Sequence, residues 1–161
     1  VIESHHFLGA LVLVMVANMA PWVSGRLLRG RLSWPLDFGL RLRDGTRLFG
    51  AHKTWRGLVA GVLACAATAY LLGHSVLLGI EFASLSLAAD AASSFVKRRL
   101  GHGPGAEVPA LDQLPEALIP LLVLAAPLRI SVLEAVAIAV IFLCLDILAM
   151  PLRHWQPRSD R

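Results

Sequence analysis

Hydrophobic residues in this chain come in long uninterrupted blocks rather than at the spacing of one helix face or one strand face. Residues 4–25 and 57–80 contain no Asp, Glu, Lys or Arg. A run of about 20 such residues is what a helix needs to cross a hydrocarbon core about 30 Å thick. The blocks predict an all-α integral membrane bundle of five transmembrane helices, a single membrane-embedded domain over residues 1–161. The expected spans are 6–25, 57–72, 75–96, 114–128 and 131–152. Gly73-His74-Ser75 joins the second to the third, and Pro127-Leu128-Arg129 joins the fourth to the fifth. The fourth span is short and holds Pro115, Pro120 and Pro127, so a kink or tilt is expected there. Two polar loops remain, 26–56 and 97–113.

Composition agrees with the blocks. The 161 residues are 57% hydrophobic and only 16% charged, whereas a soluble domain carries about a quarter charged residues. The formal charge is +4. In a soluble chain that would suggest nucleic acid, but here the positive-inside rule uses it better, and no nucleic-acid partner is expected. With the N-terminus outside, fourteen of the fifteen Lys and Arg fall in the two loops and the tail, leaving only Arg129 outside. A four-span arrangement would put the basic tail on the wrong side. The expectation is therefore a cytoplasmic (inner) membrane protein with its loops and C-terminus in the cytoplasm. Trp22 and Trp155 read as headgroup anchors. Cys65 and Cys144 lie in apolar stretches and read as small hydrophobes. The first block lacks the basic flank of a signal peptide and reads as a span.

The polar chemistry gathers at the loop end. On a helix turning 100° per residue, Asp90, Ser94, Lys97 and Arg98 fall at about 0°, 40°, −20° and 80°, which is one face. A carboxylate inside a span is costly, about 2.5 kcal/mol or more, and belongs in a bundle interior or a wet cavity. An acid below a cationic helix end suits a divalent cation beside a polyphosphate. The plainer alternative is a stop-transfer cluster, Lys97-Arg98-Arg99, with Asp90 as its internal ion-pair partner. Asp112, at the mouth of the fourth span, supplies a second carboxylate for metal-assisted phosphoryl or nucleotidyl transfer. Its plainer reading is a helix N-cap.

The first loop carries Gly50-Ala51-His52-Lys53-Thr54-Trp55-Arg56-Gly57. Two residues separate Gly50 from Lys53, so this is not a Walker A loop. Glycines, Lys53, the Thr54 hydroxyl and Arg56 at a helix start still favour anions. Pro35-Leu36-Asp37-Phe38-Gly39 reads as a turn. Asn18, placed before Pro21, is expected to satisfy backbone freed by that proline. Glu81, Glu134 and Asp146 fit polar helix–helix contacts at least as well as a site. The histidines show neither metal-ligand spacing nor a nucleophile partner.

Four blocks together resemble the archaeal-type CDP-archaeol synthases, which belong with the CDP-diacylglycerol synthases. They are Ala17-Asn18 with Pro21, then Pro35 to Gly39, then Asp44-Gly45 through Gly50 to Gly57, and Asp90 through Ser94 and Lys97-Arg98-Arg99 to Gly105, Pro109 and Asp112-Gln113. Ala89 stands where the family usually has Gly, and the segment from Asp146 to Gln156 departs from the archaeal ending. The resemblance implies a five-span enzyme that uses CTP and Mg²⁺ to turn a lipid phosphate into a CDP-lipid, releasing pyrophosphate. It implies that Asp90 and Asp112 hold the metal and act in catalysis with Lys97 and Arg98. Lys53 and Thr54 would join Lys97 and Arg98 on the triphosphate. Gly50, Arg56, Asp37, Ser94, Gln113 and Asn18 complete the implied substrate-binding set. An ether-linked and a diacyl lipid phosphate both remain open, as does a homodimer. The competing classes are a small transporter or channel with intramembrane carboxylates, and a non-catalytic membrane partner protein.

Overall fold

The computed structural model describes residues 4–29, 31–43, 45–103, 106 and 108–154, with side chains described as far as Ala149. Among these residues the chain forms α1 (Ser4–Leu27), α2 (Trp55–Leu71), α3 (Val76–Arg99), α4 (Pro109–Val123), a short α5 (Ala125–Leu128) and α6 (Val132–His154). The described residues outside the helices hold two isolated β-bridges, Pro35 with Thr54 and Arg41 with Arg47. Among the described residues three stretches are long and apolar enough to cross a membrane: His5–Leu27, Val76–Arg99 and Val132–Ala149. The chain is an integral membrane protein. α2 is apolar but shorter, at 17 residues.

Turn chemistry sets the helix ends. Gly73, at φ +80°, closes α2, and His74 N–H reaches back to the Ala69 carbonyl at 2.9 Å. Ser75 then caps α3 by accepting from Leu78 N–H at 3.1 Å. Ser131 and Glu134 form a reciprocal capping box at the start of α6: Glu134 accepts from Ser131 N–H at 2.7 Å, and Ser131 Oγ accepts from Glu134 N–H at 3.2 Å. Glu134 is thereby a helix cap. Glu81 lies on the outer surface of α3.

The helix ends lie apart from the expected membrane edges. α3 runs through Lys97, Arg98 and Arg99, and α4 begins at Pro109, so the helices extend into the polar segment 97–113 and leave 100–108 between them. Polarity had marked where apolar sequence stops, but a helix continues past the membrane boundary while its hydrogen bonds continue. Pro109 at the first helical position already has the φ that a helix needs. The fourth span is also broken. Its helix stops at Val123 rather than at the Pro127 to Arg129 hinge, because Pro127 has no N–H to offer the Val123 carbonyl. α5 adds one turn, and Arg129, at φ +55°, ends it.

The helices pack in sequence, α1 on α2, α2 on α3, α3 on α4 and α4 on α6, with a lighter α1–α6 seam closing the ring. Leu13, Val14, Phe82, Leu121 and Ile138 fill the centre. The tightest crossing is α2 on α3. A Cβ on Gly79 would lie 2.4 Å from the Cys65 carbonyl oxygen and 2.7 Å from Ala66 Cα, so only glycine fits there.

Candidate active site

At the loop end the helices part around a cavity of about 760 Å³. Its polar wall comes from α3, α4 and α6 through Asp90, Lys97, Asp112, Gln113, Glu116 and Asp146. The opposite wall comes from α1, α2 and the first loop through Asn18, Arg26, His52, Lys53, Thr54 and Arg56. Apolar side chains of α1 and α6, among them Met15, Met19, Phe142 and Leu145, complete it.

Each of the two expected acids meets a lysine from elsewhere. Lys53 of the first loop donates to the Asp90 carboxylate. Lys97 of α3 lies 2.6 Å from Asp112 Oδ1 and also donates to the Ala106 carbonyl at 3.0 Å. Asp112 Oδ2 accepts from Val108 N–H at 3.0 Å, so the N-cap reading is half right: Asp112 lies inside the first turn and reaches back to the cap residue, Val108. The expected internal pair of Asp90 with its own helix end does not form. Its ammonium partner comes from the loop before α2, which ties that loop to α3.

The predicted helix face is narrower than the angles implied. Asp90 and Lys97 line the cavity, whereas Ser94 and Arg98 are buried outside its lining. Arg98 leaves Nε and Nη1 without a partner among the described residues. Asn18 lines the cavity but donates to the Val14 carbonyl at 2.9 Å. Pro21 frees the carbonyl of Ala17 instead, so Asn18 does not repair that break. Thr54 caps α2, its Oγ1 accepting from Gly57 N–H at 3.2 Å; its hydroxyl proton stays available to a ligand.

Asp37 and Gly50 also do something other than line the cavity. Asp37 is buried at the centre of the first loop and accepts from the N–H of Gly39 at 2.9 Å and of Phe49 and Gly50 at 3.3 Å each. Arg47 Nη2 stands 3.5 Å away. Burial opposes the charge on this carboxyl, but the three N–H groups and the Arg47 guanidinium outweigh it and hold its pKa below the ordinary value. Gly50, at φ +105°, takes a backbone conformation that suits glycine. Both residues shape the loop that presents Lys53. Arg99 fastens the same loop to α3, donating to Thr46 Oγ1 and to the Arg47 carbonyl.

Glu116 and Asp146 were not assigned to the site from sequence. Glu116 follows Asp112 by four positions and so shares its helix face, a signal that was present in the sequence. Asp146 reaches the cavity from α6 and accepts from Gln113 Nε2 at 2.5 Å, which no local pattern shows. Asp44, Gly105 and the tail from Trp155 lie outside the described residues.

A family model described as CarS-like, CDP-archaeol synthase, matches residues 5–153. The chain belongs to the CDP-archaeol synthase family. Among its relatives, the CDP-archaeol synthase of Aeropyrum pernix is 42% identical over 118 residues, covering 68% of this chain and 64% of that protein. The one from Thermofilum pendens is 42% identical over 106 residues, covering 62% and 51%. The match thus spans about half to two thirds of the length of these curated relatives. A solved structure, described as an intramembrane enzyme for archaeal membrane lipid biosynthesis, superimposes with a TM-score of 0.76 at 36% identity, covering 89% of this chain and 92% of that one.

The chemistry of the family raises the question of a divalent metal, and the residues present fit one. Mg²⁺ takes oxygen ligands and is usually held by one or two carboxylates beside substrate phosphates. Asp90 and Asp112 supply two carboxylates on one cavity, and both already face a cation. Gln113 is buried on the same wall, and its Oε1 has no partner among the described residues, leaving a further oxygen donor.

Proposed function

We propose that this protein is a membrane cytidylyltransferase that transfers CMP from CTP to a lipid phosphate, giving a CDP-lipid and pyrophosphate. The observation that carries this reading is the pairing of Asp90 and Asp112, from neighbouring helices, with Lys53 and Lys97 around one cavity that also has an apolar wall from α1 and α6. A triphosphate needs the cations, and a lipid needs the apolar wall. Family membership favours this reading over a transporter or a non-catalytic partner. We further propose the five-span topology with the N-terminus outside, so that CTP enters the cavity from the cytoplasm.

In the reaction, an oxygen of the lipid phosphate attacks the α-phosphorus of CTP in line. The new P–O bond forms as the bond to the β-phosphate oxygen breaks, and pyrophosphate leaves. The attacking group is already an anion, so no side chain is needed as a base. Mg²⁺, held by Asp90 and Asp112, would neutralise phosphate charge. The phosphates draw the ammonium groups of Lys53 and Lys97 off the two carboxylates, so that these lysines steady the triphosphate and the leaving pyrophosphate. The positive end of the α2 dipole adds to the same field. Catalysis is then positioning and charge stabilisation.

Pyrophosphate release by purified protein in detergent tests this, with CTP, Mg²⁺ and either an ether-linked or a diacyl lipid phosphate. Lipid-dependent release that chelation abolishes and that Asp90→Asn and Asp112→Asn each remove is the expected result. No release with either lipid from folded protein would overturn the reading.

A further inference from the structure

The cavity is divided by charge, and the division assigns the second phosphate. Four carboxylates, Asp90, Asp112, Glu116 and Asp146, lie on the α3–α4–α6 side with the cation Lys97, which leaves that side net acidic. A lipid phosphate cannot rest against that wall alongside a triphosphate without strong repulsion. On the α1–α2 side stand two guanidinium groups, Arg26 and Arg56. Arg56 packs directly on the last turn of α1: a Cβ on Gly25 would lie 3.2 Å from its Nη2. Its Nη1 donates to the Arg31 carbonyl at 2.6 Å, while its Nε is buried without a partner among the described residues. Arg26, the next residue after Gly25, is held over the Trp22 ring at 4.4 Å. Both guanidinium groups therefore line the cavity beside the last turn of α1, and guanidinium groups suit a phosphomonoester.

The same helix offers a place for the chains. One face of α1, including Val12, Val16, Ala20 and Val23, forms an apolar groove on the outside of the bundle. Met15 and Met19 line both this groove and the cavity, so the two adjoin along α1. The groove ends at the turn that carries Arg26. The α1–α6 seam is the lightest contact in the ring.

We propose that Arg26 and Arg56 seat the phosphomonoester headgroup of the lipid substrate, with its hydrocarbon chains along the α1 groove. This rests on the cytidylyltransferase reading and deepens it. The lipid phosphate then approaches from the α1 side while the triphosphate is held by Lys53 and Lys97, and the two anions meet across the cavity. Trp22 serves as a wall of the headgroup seat as well as an interfacial anchor.

Three measurements on the full chain in nanodiscs test this: retention of a lipid phosphate, binding of Mg²⁺–CTP by calorimetry, and steady-state kinetics. Arg26→Gln and Arg56→Gln are expected to weaken lipid-phosphate retention and raise its KM at least tenfold, and to leave CTP affinity within about twofold. Arg56→Lys is expected to recover part of the loss, which separates charge from folding. A photoreactive group in the lipid chain should label Met15 or Met19, and inorganic phosphate should compete only weakly. Weakened CTP binding with unchanged lipid retention would give the two arginines to the nucleotide and overturn the proposal. Unchanged lipid retention in Arg26→Gln and Arg56→Gln, with turnover still lost in Asp90→Asn, would overturn it too while leaving the reaction intact. Wild-type protein that neither retains a lipid phosphate nor releases pyrophosphate would remove the reading on which it rests.

Discussion

α3 takes part in two very different contacts. Near its start it crosses α2 so closely that Gly79 has backbone of Cys65 and Ala66 where a side chain would be. About three turns later it faces the cavity, where Asp90 is held by a lysine from a loop rather than by packing. The first contact uses small residues to exclude everything, and its energy comes from dispersion between close backbones. The second keeps the helices apart, and its polar groups are satisfied by partners from distant parts of the chain. A bundle can thus be sealed at one end and reactive at the other with the same helix serving both.

That contrast can be broken from either side. The largest effect is expected in the cavity: Asp90→Asn and Asp112→Asn should lower turnover by about 10²–10³-fold. Asp90→Asn should leave the thermal unfolding midpoint in detergent nearly unchanged, since its pair with Lys53 is partly exposed and such pairs stabilise little. Asp112→Asn leaves the buried Lys97 without its carboxylate and should also lower the midpoint. At the crossing the pattern should reverse. Gly79→Ala must push α2 and α3 apart, at a cost of about 1–3 kcal/mol. Its unfolding midpoint should drop, while turnover per folded molecule, measured well below that midpoint, should stay near the wild-type value.

Asp37 lies between these extremes because it holds the loop that delivers Lys53. Asp37→Asn loses the charge and one acceptor oxygen for backbone N–H groups, worth about 1 kcal/mol or more. The KM for CTP should rise about three- to tenfold with a smaller change in kcat. The sign of the pH effect follows from the lowered pKa of this carboxyl. Its stabilisation is complete above the unfolded-state value of about 4 and is lost as pH falls through the still lower folded value. This loop should therefore hold its structure from about pH 5 to 8, and hydrogen exchange at Phe49 and Gly50 should accelerate only in stronger acid. The smallest effect is expected for Ser75→Ala, which removes the α3 cap for about 1 kcal/mol, read by unfolding, with kinetics unchanged.

Much of this was legible in the chain. Apolar blocks marked the helices because crossing a membrane demands a length and a composition that nothing else in the sequence mimics. Gly73 and Ser75 marked the α2–α3 turn because backbone conformation and capping are local properties. Asp90, Lys97 and Asp112 stood out because charge near a span is costly enough to need a reason. How far α3 and α4 reach into the second loop was not legible, because hydropathy reports the edge of the membrane, whereas a helix ends only where its hydrogen bonds do.

The sequence by itself determined which segments are helices, where the chain turns and which end of the bundle is charged, since each follows from interactions within a few residues or from the solvent around a segment. Only the tertiary structure decided which charges meet. Lys53 pairs with Asp90, Lys97 with Asp112 and Gln113 with Asp146, while Asp37, Ser94 and Arg98 lie outside the cavity lining. The reason is physical: several cations and anions at one end of a bundle can pair in many ways at similar electrostatic energy. The relative rotation and spacing of the packed helices, fixed by their apolar faces, select one.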